Sequence, residues 1–291
     1  MKYSFITQHK NTFPVRLMCQ VLGVDRSCYY HYRRQMDTRP PDPEHEEMLE
    51  WVQRVDDASD HTYGSRRMKR ALNCLGYPVS RNKARNLMRE AGVQVRHRKK
   101  FKVTTNSNHK QPVYDNLLQR QFDVPQPDQV YAADVTYVWT QEGLYLAVVI
   151  DLCLRKVVGW SMSPRMKSQL VCDALKMAAW QRRPKAGLIH HSDRGSQYAS
   201  KAFRKLLRIN GFQGSMSRKG DCWDNAVVES FFGSLKQERV QWRNYQTRYE
   251  AQQDILQYIS SWYNPYRLHS TLNYVSPNDY EKRLLETKHA A

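Results

Sequence analysis

The stretch from residue 190 to residue 236 constrains the fold most, because it orders a buried strand and an amphipathic helix around acidic side chains. Residues 188–191 predict a buried strand that delivers Asp193 at its end. Four apolar side chains then recur near helical spacing, at Trp223, Ala226, Val227 and Phe231. They predict a helix whose start Asp221 or Asp224 caps.

One face of this predicted helix carries polar groups. Asn225, Glu229, Phe232 and Lys236 fall at positions i, i+4, i+7 and i+11, so their side chains share a face. A carboxylate therefore lies there with an amide one turn before it and a cation two turns after it.

A third carboxylate, Asp134, lies inside the β-rich segment 130–138. A charge within a half-buried strand is costly unless it is paired or holds a metal. Three carboxylates on two strands and a helix suit a pair of Mg²⁺ ions, which prefer oxygen ligands and keep several waters. Two such ions about 3.5–4 Å apart can activate the attacking oxygen and stabilise the leaving oxygen of a phosphodiester.

These motifs together resemble the DDE transposases of bacterial insertion sequences, in the OrfB-type group whose catalytic core is similar to retroviral integrase. The resemblance rests on Ala-Asp-Val-Thr-Tyr-Val at Asp134, His-Ser-Asp-Arg-Gly-Ser-Gln-Tyr at Asp193 and Asp-Asn-Ala-Val-Val-Glu-Ser-Phe-Phe-Gly-Ser-Leu-Lys at Glu229. Between Asp193 and Glu229 lie 35 residues, the family's characteristic gap, and Lys236 matches its basic residue. The segment 142–145 is one residue shorter than is usual in the family.

The resemblance implies a multidomain chain: helix-turn-helix modules, an α/β ribonuclease H-like (integrase) catalytic core and a helical C-terminal extension. Asp134, Asp193 and Glu229 are the implied catalytic and metal-binding residues, with two Mg²⁺ ions that Mn²⁺ can replace. The implied activity is Mg-dependent polynucleotidyl transfer without a covalent protein–DNA intermediate. The expected strands cover residues 130–138, 144–151, 156–162, 187–191 and 213–217, the expected core helices cover 167–181 and 199–210, and a further helix is expected at 248–263 in the extension.

Charge distribution favours a polyanionic partner. Lys and Arg number 46 against 28 Asp and Glu, a formal net charge of +18. Residues 61–110 hold 14 of these cations and one acid, Glu90. Six basic side chains are candidate DNA contacts, namely Arg81, Arg85 and Arg89 on one face of a predicted helix and Arg98, Lys99 and Lys100 in a basic arm. Asn225 and Lys236 are further candidates for DNA contact.

Proline, glycine and charge patterns divide the chain into six parts. We expect a small helix-turn-helix at 1–36, a Pro-rich linker at 37–43 and a basic helix-turn-helix-like domain at 44–95, with a cap at Ser80. A basic arm and connector follow at 96–124, then the catalytic core at 125–240 and the helical extension at 241–291, which ends in a short helix after Ser276.

Several side chains leave alternatives open. Asp151 is a fourth carboxylate or, preferably, a strand-end turn residue. His190 and His191 favour structure or substrate contact over metal ligation, with one facing the core and the other the active site. Trp223 packs in the core or stacks on substrate, and Asn225 contacts DNA or orients Glu229.

The six cysteines form no C-x-x-C pair, which indicates reduced thiols without structural zinc. With no signal peptide and no apolar run of membrane-spanning length, we expect a bacterial cytoplasmic, nucleoid-associated protein.

The most favoured function is transposition: binding of element ends, strand cleavage and strand transfer by at least a dimer on paired ends, with an upstream-frame (OrfA-type) product as a possible partner. One alternative is a DNA-binding protein without activity, such as a repressor of its own element. Another is a ribonuclease H or a Holliday-junction nuclease, which does not explain the upstream modules.

Overall fold

The computed structural model describes residues 2–37, 42–96, 112–218 and 222–290, and the chain divides into two units, residues 1–50 and 51–291. The first unit contains α1 (Lys2–His9), α2 (Val15–Val21) and α3 (Arg26–Asp37), and α4 (Pro43–Ala58) spans the division. Ile6, Met18 and Tyr29 form the small core of the first unit. The helix pair predicted within residues 12–35 is confirmed, whereas α1 was not expected.

The second unit opens with α5 (Ser65–Cys74) and α6 (Arg81–Glu90). The hydroxyl oxygen of Ser80 accepts the backbone N–H of Lys83 at 3.1 Å, so the predicted cap is present. Leu87 and Met88 are buried, which leaves the basic face of α6 toward solvent.

A five-stranded mixed sheet is the centre of the second unit. Its strands are β1 (Val130–Val138), β2 (Leu144–Asp151), β3 (Val157–Ser163), β4 (Ile189–Ser192) and β5 (Gln213–Met216). They lie in the order β3-β2-β1-β4-β5, with antiparallel pairing among the first three along the chain and parallel pairing of β1 with β4 and of β4 with β5. All five predicted strands are present, in the order expected of an integrase core.

Helices cover both faces of this sheet, because its strands carry apolar side chains on both sides. One face packs against α7 (Ser168–Arg182), α8 (Ser196–Ala199) and α9 (Lys201–Ile209), and the other against α10 (Ala226–Glu238) and α11 (Arg248–Gln257). A Cβ atom at Gly159 of β3 would lie 2.8 Å from the Cβ of Ala178, so α7 approaches this strand very closely. The helix predicted at 199–210 is interrupted at Ser200, which caps α9 through the N–H of Phe203.

The C-terminal part departs from the expected pattern in two places. The helix predicted over 248–263 ends as α11 at Gln257 and continues as a π-helical turn, Tyr258–Tyr263. The final helix, α12 (Pro277–Ala290), has 14 residues and is longer than expected, while the hydroxyl oxygen of Ser276 accepts the N–H of Asp279 as a cap.

The segment that contains α5 and α6 is attached to α10 and to the chain after the π-helical turn. The hydroxyl oxygen of Tyr63 accepts the backbone N–H of Leu268 at 2.9 Å. The side-chain amide of Gln237 donates to the carbonyl oxygen of Arg96 at 3.1 Å, and Arg239 forms an ion pair with Asp60. These contacts join the basic helix pair to the catalytic region within one unit.

The shortened segment after β1 forms a tied turn. Gly143 has φ +71°, a conformation that favours glycine. The backbone N–H of Arg248 donates to the Glu142 carboxylate at 2.8 Å, and the Arg248 guanidinium donates to the carbonyl oxygen of Gly143 at 3.0 Å. The start of α11 therefore holds this turn in place.

In the part of the chain that the structure describes, no helix combines the length and the apolar character that crossing a membrane requires. Cys19, Cys28, Cys74, Cys153 and Cys172 are free thiols.

Candidate active site

The register of the parallel strands brings two acidic residues together. β1 and β4 pair with Ala133 opposite Ser192, so Asp134 and Asp193 follow at the next position of each strand. Adjacent strands lie about 4.7–4.9 Å apart, which places these two residues side by side at the end of β4. Both side chains are half-buried. This pair was predicted from sequence, and the strand pairing supplies the physical reason for it.

The loop after β4 shapes the Asp193 carboxylate. Its Oδ1 accepts the backbone N–H of Gly195 at 2.9 Å. A Cβ atom at position 195 would lie 2.9 Å from the same oxygen and 3.0 Å from the side-chain oxygen of Gln197. A larger residue here would displace the carboxylate, because the carboxylate folds back over the backbone.

The helix α10 brings Glu229 and Lys236 to this pair. Glu229 is exposed in the first turn of the helix, and Lys236 is half-buried in the last. The start of the helix is anchored by Asn225, whose side-chain N–H donates to the carbonyl oxygen of Ala133 at 3.2 Å. Asn225 is 4% exposed and holds the start of the helix beside Asp134, while a contact of this residue with DNA stays a prediction.

Electrostatics couple the four charged groups. Burial raises the pKa of Asp134 well above its usual range, and the charges of Asp193 and Glu229 raise it further. The N–H of Val135 and the ammonium of Lys236 oppose this rise. Burial lowers the pKa of Lys236, while the charge of Asp134 raises it. The site therefore gathers more negative charge than its single lysine offsets.

This charge excess and the all-oxygen donor set fit divalent cations such as Mg²⁺. Across the described residues, one group of possible ligands has all its ligand atoms within 4.8 Å of one another, namely Asp56, Asp57 and His61 at the end of α4. The three carboxylates of the candidate site are thus an open set. Cations would offset the repulsion among these like charges.

The two histidines of β4 are both buried, at 1% and 0% exposure, which agrees with the preference for a structural role; that one of them faces the active site stays a prediction. The two ring nitrogens of His191 lie 2.9 Å from the hydroxyl oxygen of Ser215 and 3.2 Å from that of Ser217. His190 packs against the rings of Tyr198 and Phe203. Burial lowers the pKa of His190 to about 3 and that of His191 to about 4, so both are neutral structural groups.

Asp224 does not cap α10 as predicted but is a fully buried anchor. Its carboxylate accepts the Nδ2–H of Asn116 at 2.9 Å and the Nε–H of Arg120 at 2.8 Å. It also accepts the backbone N–H of Arg218 at 2.8 Å and its guanidinium at 2.9 Å. Hydrogen bonds from Arg218 and Arg120 hold the pKa of Asp224 well below its usual range. The other proposed cap, Asp221, lies outside the described residues.

Two further side chains are now placed. Asp151 accepts the backbone N–H groups of Asp128 at 2.7 Å and Leu154 at 2.9 Å, which confirms the interpretation as a strand-end turn residue. Trp223 is 69% exposed, which excludes the core interpretation and leaves a surface available for stacking.

The candidate DNA contacts outside the core are partly described. Arg81, Arg85 and Arg89 are exposed on α6, apart from its buried apolar side chains. The residues Arg98, Lys99 and Lys100 lie outside the described residues.

One side chain near the carboxylates was not singled out from the sequence. Tyr198 is 2% exposed, and burial raises its pKa, with further increases from the charges of Asp134 and Asp193. Within the described residues its hydroxyl has no hydrogen-bond partner. The Ser-Gln-Tyr end of the Asp193 motif was the signal that could have identified it.

Family models match most of the chain. A model described as "HTH-like domain" matches residues 43–101, and two described as "Integrase core domain" match residues 124–222 and 210–277. The chain belongs to the DDE transposases of bacterial insertion sequences, of the IS3 type.

Two sequence relatives support this assignment. The chain is 40% identical over 289 residues to "Transposase InsF for insertion sequence IS3A" of Escherichia coli strain K12, covering 98% of this chain and 100% of the relative. It is 42% identical over 267 residues to "Insertion element IS600 uncharacterized 31 kDa protein" of Shigella sonnei, covering 91% and 98%. The catalytic core domain of BIV integrase superposes with a TM-score of 0.42 at 18% identity, over 56% of this chain and 99% of that domain.

Proposed function

We propose that this chain binds the ends of an insertion sequence and catalyses cleavage and strand transfer of DNA with Asp134, Asp193 and Glu229. The observation that supports this most is the meeting of β1, the end of β4 and α10, where the charges of Asp193, Glu229 and Lys236 all act on Asp134. Burial lowers the pKa of His190 to about 3 and that of His191 to about 4, so these two histidines of β4 are weak bases.

The three carboxylates would hold two Mg²⁺ ions, or Mn²⁺ in their place. Such ions supply Lewis-acid stabilisation of the attacking and leaving oxygens of a phosphodiester. The remaining residues position the site. Asn225 fixes the start of α10 against β1, and the Gly195 N–H orients one oxygen of Asp193. Lys236 offsets part of the negative charge that a DNA phosphate brings to the carboxylates.

The proposed reaction has two displacements at phosphorus. Water cleaves one strand at each element end and leaves a 3′-hydroxyl; this hydroxyl then attacks a second phosphodiester in line and releases the 3′-oxygen of the attacked strand. Each step breaks one P–O bond and forms one, so no covalent bond between protein and DNA is needed.

Affinity for DNA would come from the basic modules. Arg81, Arg85 and Arg89 line an exposed face of α6, and with Arg98, Lys99, Lys100 and Lys236 they would contact phosphates. We assign these roles to a 44–95 DNA-binding domain and a 96–124 arm, alongside the 1–36 module, the 37–43 linker, the 125–240 core and the 241–291 extension. At least two copies would hold paired ends, in the bacterial cytoplasm at the nucleoid, with an OrfA-type product as partner.

The test is cleavage and strand transfer on labelled element-end DNA with Mg²⁺. Glu229→Gln is expected to lower product formation by at least about 100-fold, because it removes a charge from the site where charge stabilisation acts. The matched control is Glu286→Gln, an exposed glutamate on α12 that is expected to leave activity unchanged. Equal activity of Glu229→Gln and the unmodified chain would refute the triad. DNA binding without cleavage, even with the OrfA-type product added, would favour a regulatory DNA-binding protein.

A further inference from the structure

A cavity of about 320 Å³ lies along a second face of α10. It is bounded by this helix, by the turn between β2 and β3 and by the chain that follows the π-helical turn. The residues that line it are Arg67, Phe122, Arg155, Ala226, Val227, Ser230, Ser234, Tyr263, Arg267, His269, Ser270 and Thr271. Three are arginines and four carry aliphatic hydroxyls, and none of these described residues is acidic.

Positive charge in this cavity exceeds its compensation. The buried Arg267 is paired with Glu238, and Arg67 lies 3.8 Å from the same carboxylate. The guanidinium of Arg155 donates to the carbonyl oxygen of Phe122, which carries no net charge, at 2.9 Å. Two guanidinium groups thus share one carboxylate, and the third donates to a neutral carbonyl oxygen, in a place where partial burial makes unbalanced charge costly.

The titration behaviour of neighbouring groups is consistent with this excess. Burial lowers the pKa of Arg67, and the charge of Arg267 lowers it further. Burial also lowers the pKa of Arg155. For His269, burial followed by the charges of Arg267, Arg67 and Arg155 lowers the pKa to about 2. An anion in the cavity would relieve all of these interactions at once.

The other groups in the wall suit an oxyanion. Ala226 and Val227 are the first two residues of α10, so the positive end of the helix dipole lies at the cavity. Hydroxyls of Ser230 and Thr271 can donate hydrogen bonds. Guanidinium groups bind phosphate oxygens through paired N–H donors, which no other side chain matches in geometry.

We propose that this cavity binds a phosphodiester group of the DNA strand and thereby holds that strand beside Glu229. The inference rests on the proposed function and adds a binding site to it. Ser230 follows Glu229 directly, and the wall from Ala226 to Ser234 spans about 12 Å of helix that includes Glu229. A strand that passes the carboxylates can therefore place a neighbouring phosphate in the cavity. A small free anion gains nothing from the position of the cavity beside Glu229.

The test neutralises one DNA phosphate at a time. Element-end duplexes with single methylphosphonate substitutions near the cleavage position are compared for binding to the full chain and to the Arg67→Gln/Arg155→Gln double variant. We expect one position where the substitution weakens binding to the unmodified chain roughly tenfold, about 1.4 kcal/mol, and leaves binding to the double variant unchanged. Thr271→Val, which alters an exposed hydroxyl, should reduce the effect at the same position without disturbing folding.

The matched control is Lys205→Gln/Arg208→Gln, which also removes two positive charges, from exposed positions on α9. This control variant should bind as much more weakly as the unmodified chain does when the methylphosphonate lies at the sensitive position. The proposal is overturned if the double variant and the control show the same methylphosphonate profile as the unmodified chain.

Thermal unfolding with added inorganic phosphate, at constant ionic strength, separates the two sources of the anion. Stabilisation that the Arg67→Gln/Arg155→Gln variant loses, together with the position-specific DNA effect, supports the site. Stabilisation by free phosphate without any sensitive DNA position would overturn the assignment to a DNA strand. Loss of cleavage in every protein, with the position-specific effect retained, would count against the proposed catalysis and leave this site standing.

Discussion

The buried ion pair between Glu238 and Arg267 supports the end of α10, and removing one member should be very costly. The side chains are 3% and 4% exposed. The Arg267 guanidinium donates to both carboxylate oxygens, at 2.9 Å from Nε and 2.6 Å from Nη2. Tyr258 donates a further hydrogen bond at 2.8 Å. Burial raises the pKa of Glu238, but the charge and hydrogen bonds of Arg267, the Tyr258 hydroxyl and the charge of Arg67 together outweigh this, and the net pKa is lowered.

The substitution Arg267→Met keeps an apolar stem and removes the charge. It leaves the Glu238 carboxylate buried with the Tyr258 hydroxyl and with Arg67, whose nearest nitrogen is 3.8 Å away. An uncompensated buried charge costs about 3–5 kcal/mol. We therefore expect the free energy of unfolding to fall by that amount at pH 7. The deficit should shrink at pH 5, because Glu238 without its partner can take up a proton.

The assay is guanidinium unfolding followed by circular dichroism, on Arg267→Met, Glu238→Gln and the double variant. The double variant should recover at least about 2 kcal/mol relative to the sum of the single changes. Lys176→Ala serves as the matched control, because Lys176 and Asp173 form an exposed i,i+3 pair at 3.3 Å that is worth at most about 0.5 kcal/mol. A loss below about 1 kcal/mol for Arg267→Met, or strictly additive changes, would refute the reasoning.

Three further predictions concern packing, pH and a buried hydroxyl. Gly159→Ala should lower the free energy of unfolding by about 1–3 kcal/mol in thermal unfolding, because the added Cβ would collide with α7. The control is Gly64→Ala, whose Cβ would meet nothing within 4 Å and which should change the free energy of unfolding by less than about 0.5 kcal/mol. Equal effects of the two substitutions would contradict the packing argument. The pKa of His269 is about 2 in the folded chain against a usual 6.5, so its contribution to stability is present above pH 6.5 and is lost as pH falls. At pH 4.5 this loss in the free energy of unfolding is about 2–3 kcal/mol. Between pH 7 and 4.5 the free energy of unfolding of His269→Gln should therefore fall by about 2–3 kcal/mol less than that of the unmodified chain. An equal fall in the two proteins would disprove the assignment. Tyr198→Phe removes a buried hydroxyl that has no hydrogen-bond partner among the described residues, and it should raise the free energy of unfolding by about 1 kcal/mol, measured as a higher unfolding midpoint. A decrease of similar size would show that the hydroxyl does form a hydrogen bond.

The sheet could be predicted because each strand carries its own local signal. Aliphatic and β-branched runs mark β1, β2 and β3, and their bounds fall within about a residue of the expected ones. The spacing of Asp134, Asp193 and Glu229 within recognisable motifs identified the candidate carboxylates before any geometry was known. The cap at Ser80 was equally local, because it depends on residues three positions apart.

The contacts that were missed depend on distant parts of the chain. Asp224 is an anchor because Asn116 and Arg120, more than 100 positions earlier, lie against it, and no local pattern reports that. The amide of Asn225 meets Ala133 for the same kind of reason. His190 and His191 are both buried because helices cover both faces of β4, whereas alternation along a strand suggests one buried and one exposed side chain.

The attachment of the basic helix pair to α10 fixes the distance between them. Tyr63 is hydrogen-bonded to Leu268 and Arg96 to Gln237, so the segment that carries α6 is attached to the helix that carries Glu229. Under the proposed function, the number of base pairs between the bases that are recognised and the bond that is cut is then set by protein geometry. If one base pair were inserted between the recognised bases and the bond that is cut, bending of the protein at this junction could not compensate for it. The element would be cut at a fixed reach from its recognised sequence, whatever bases lie between.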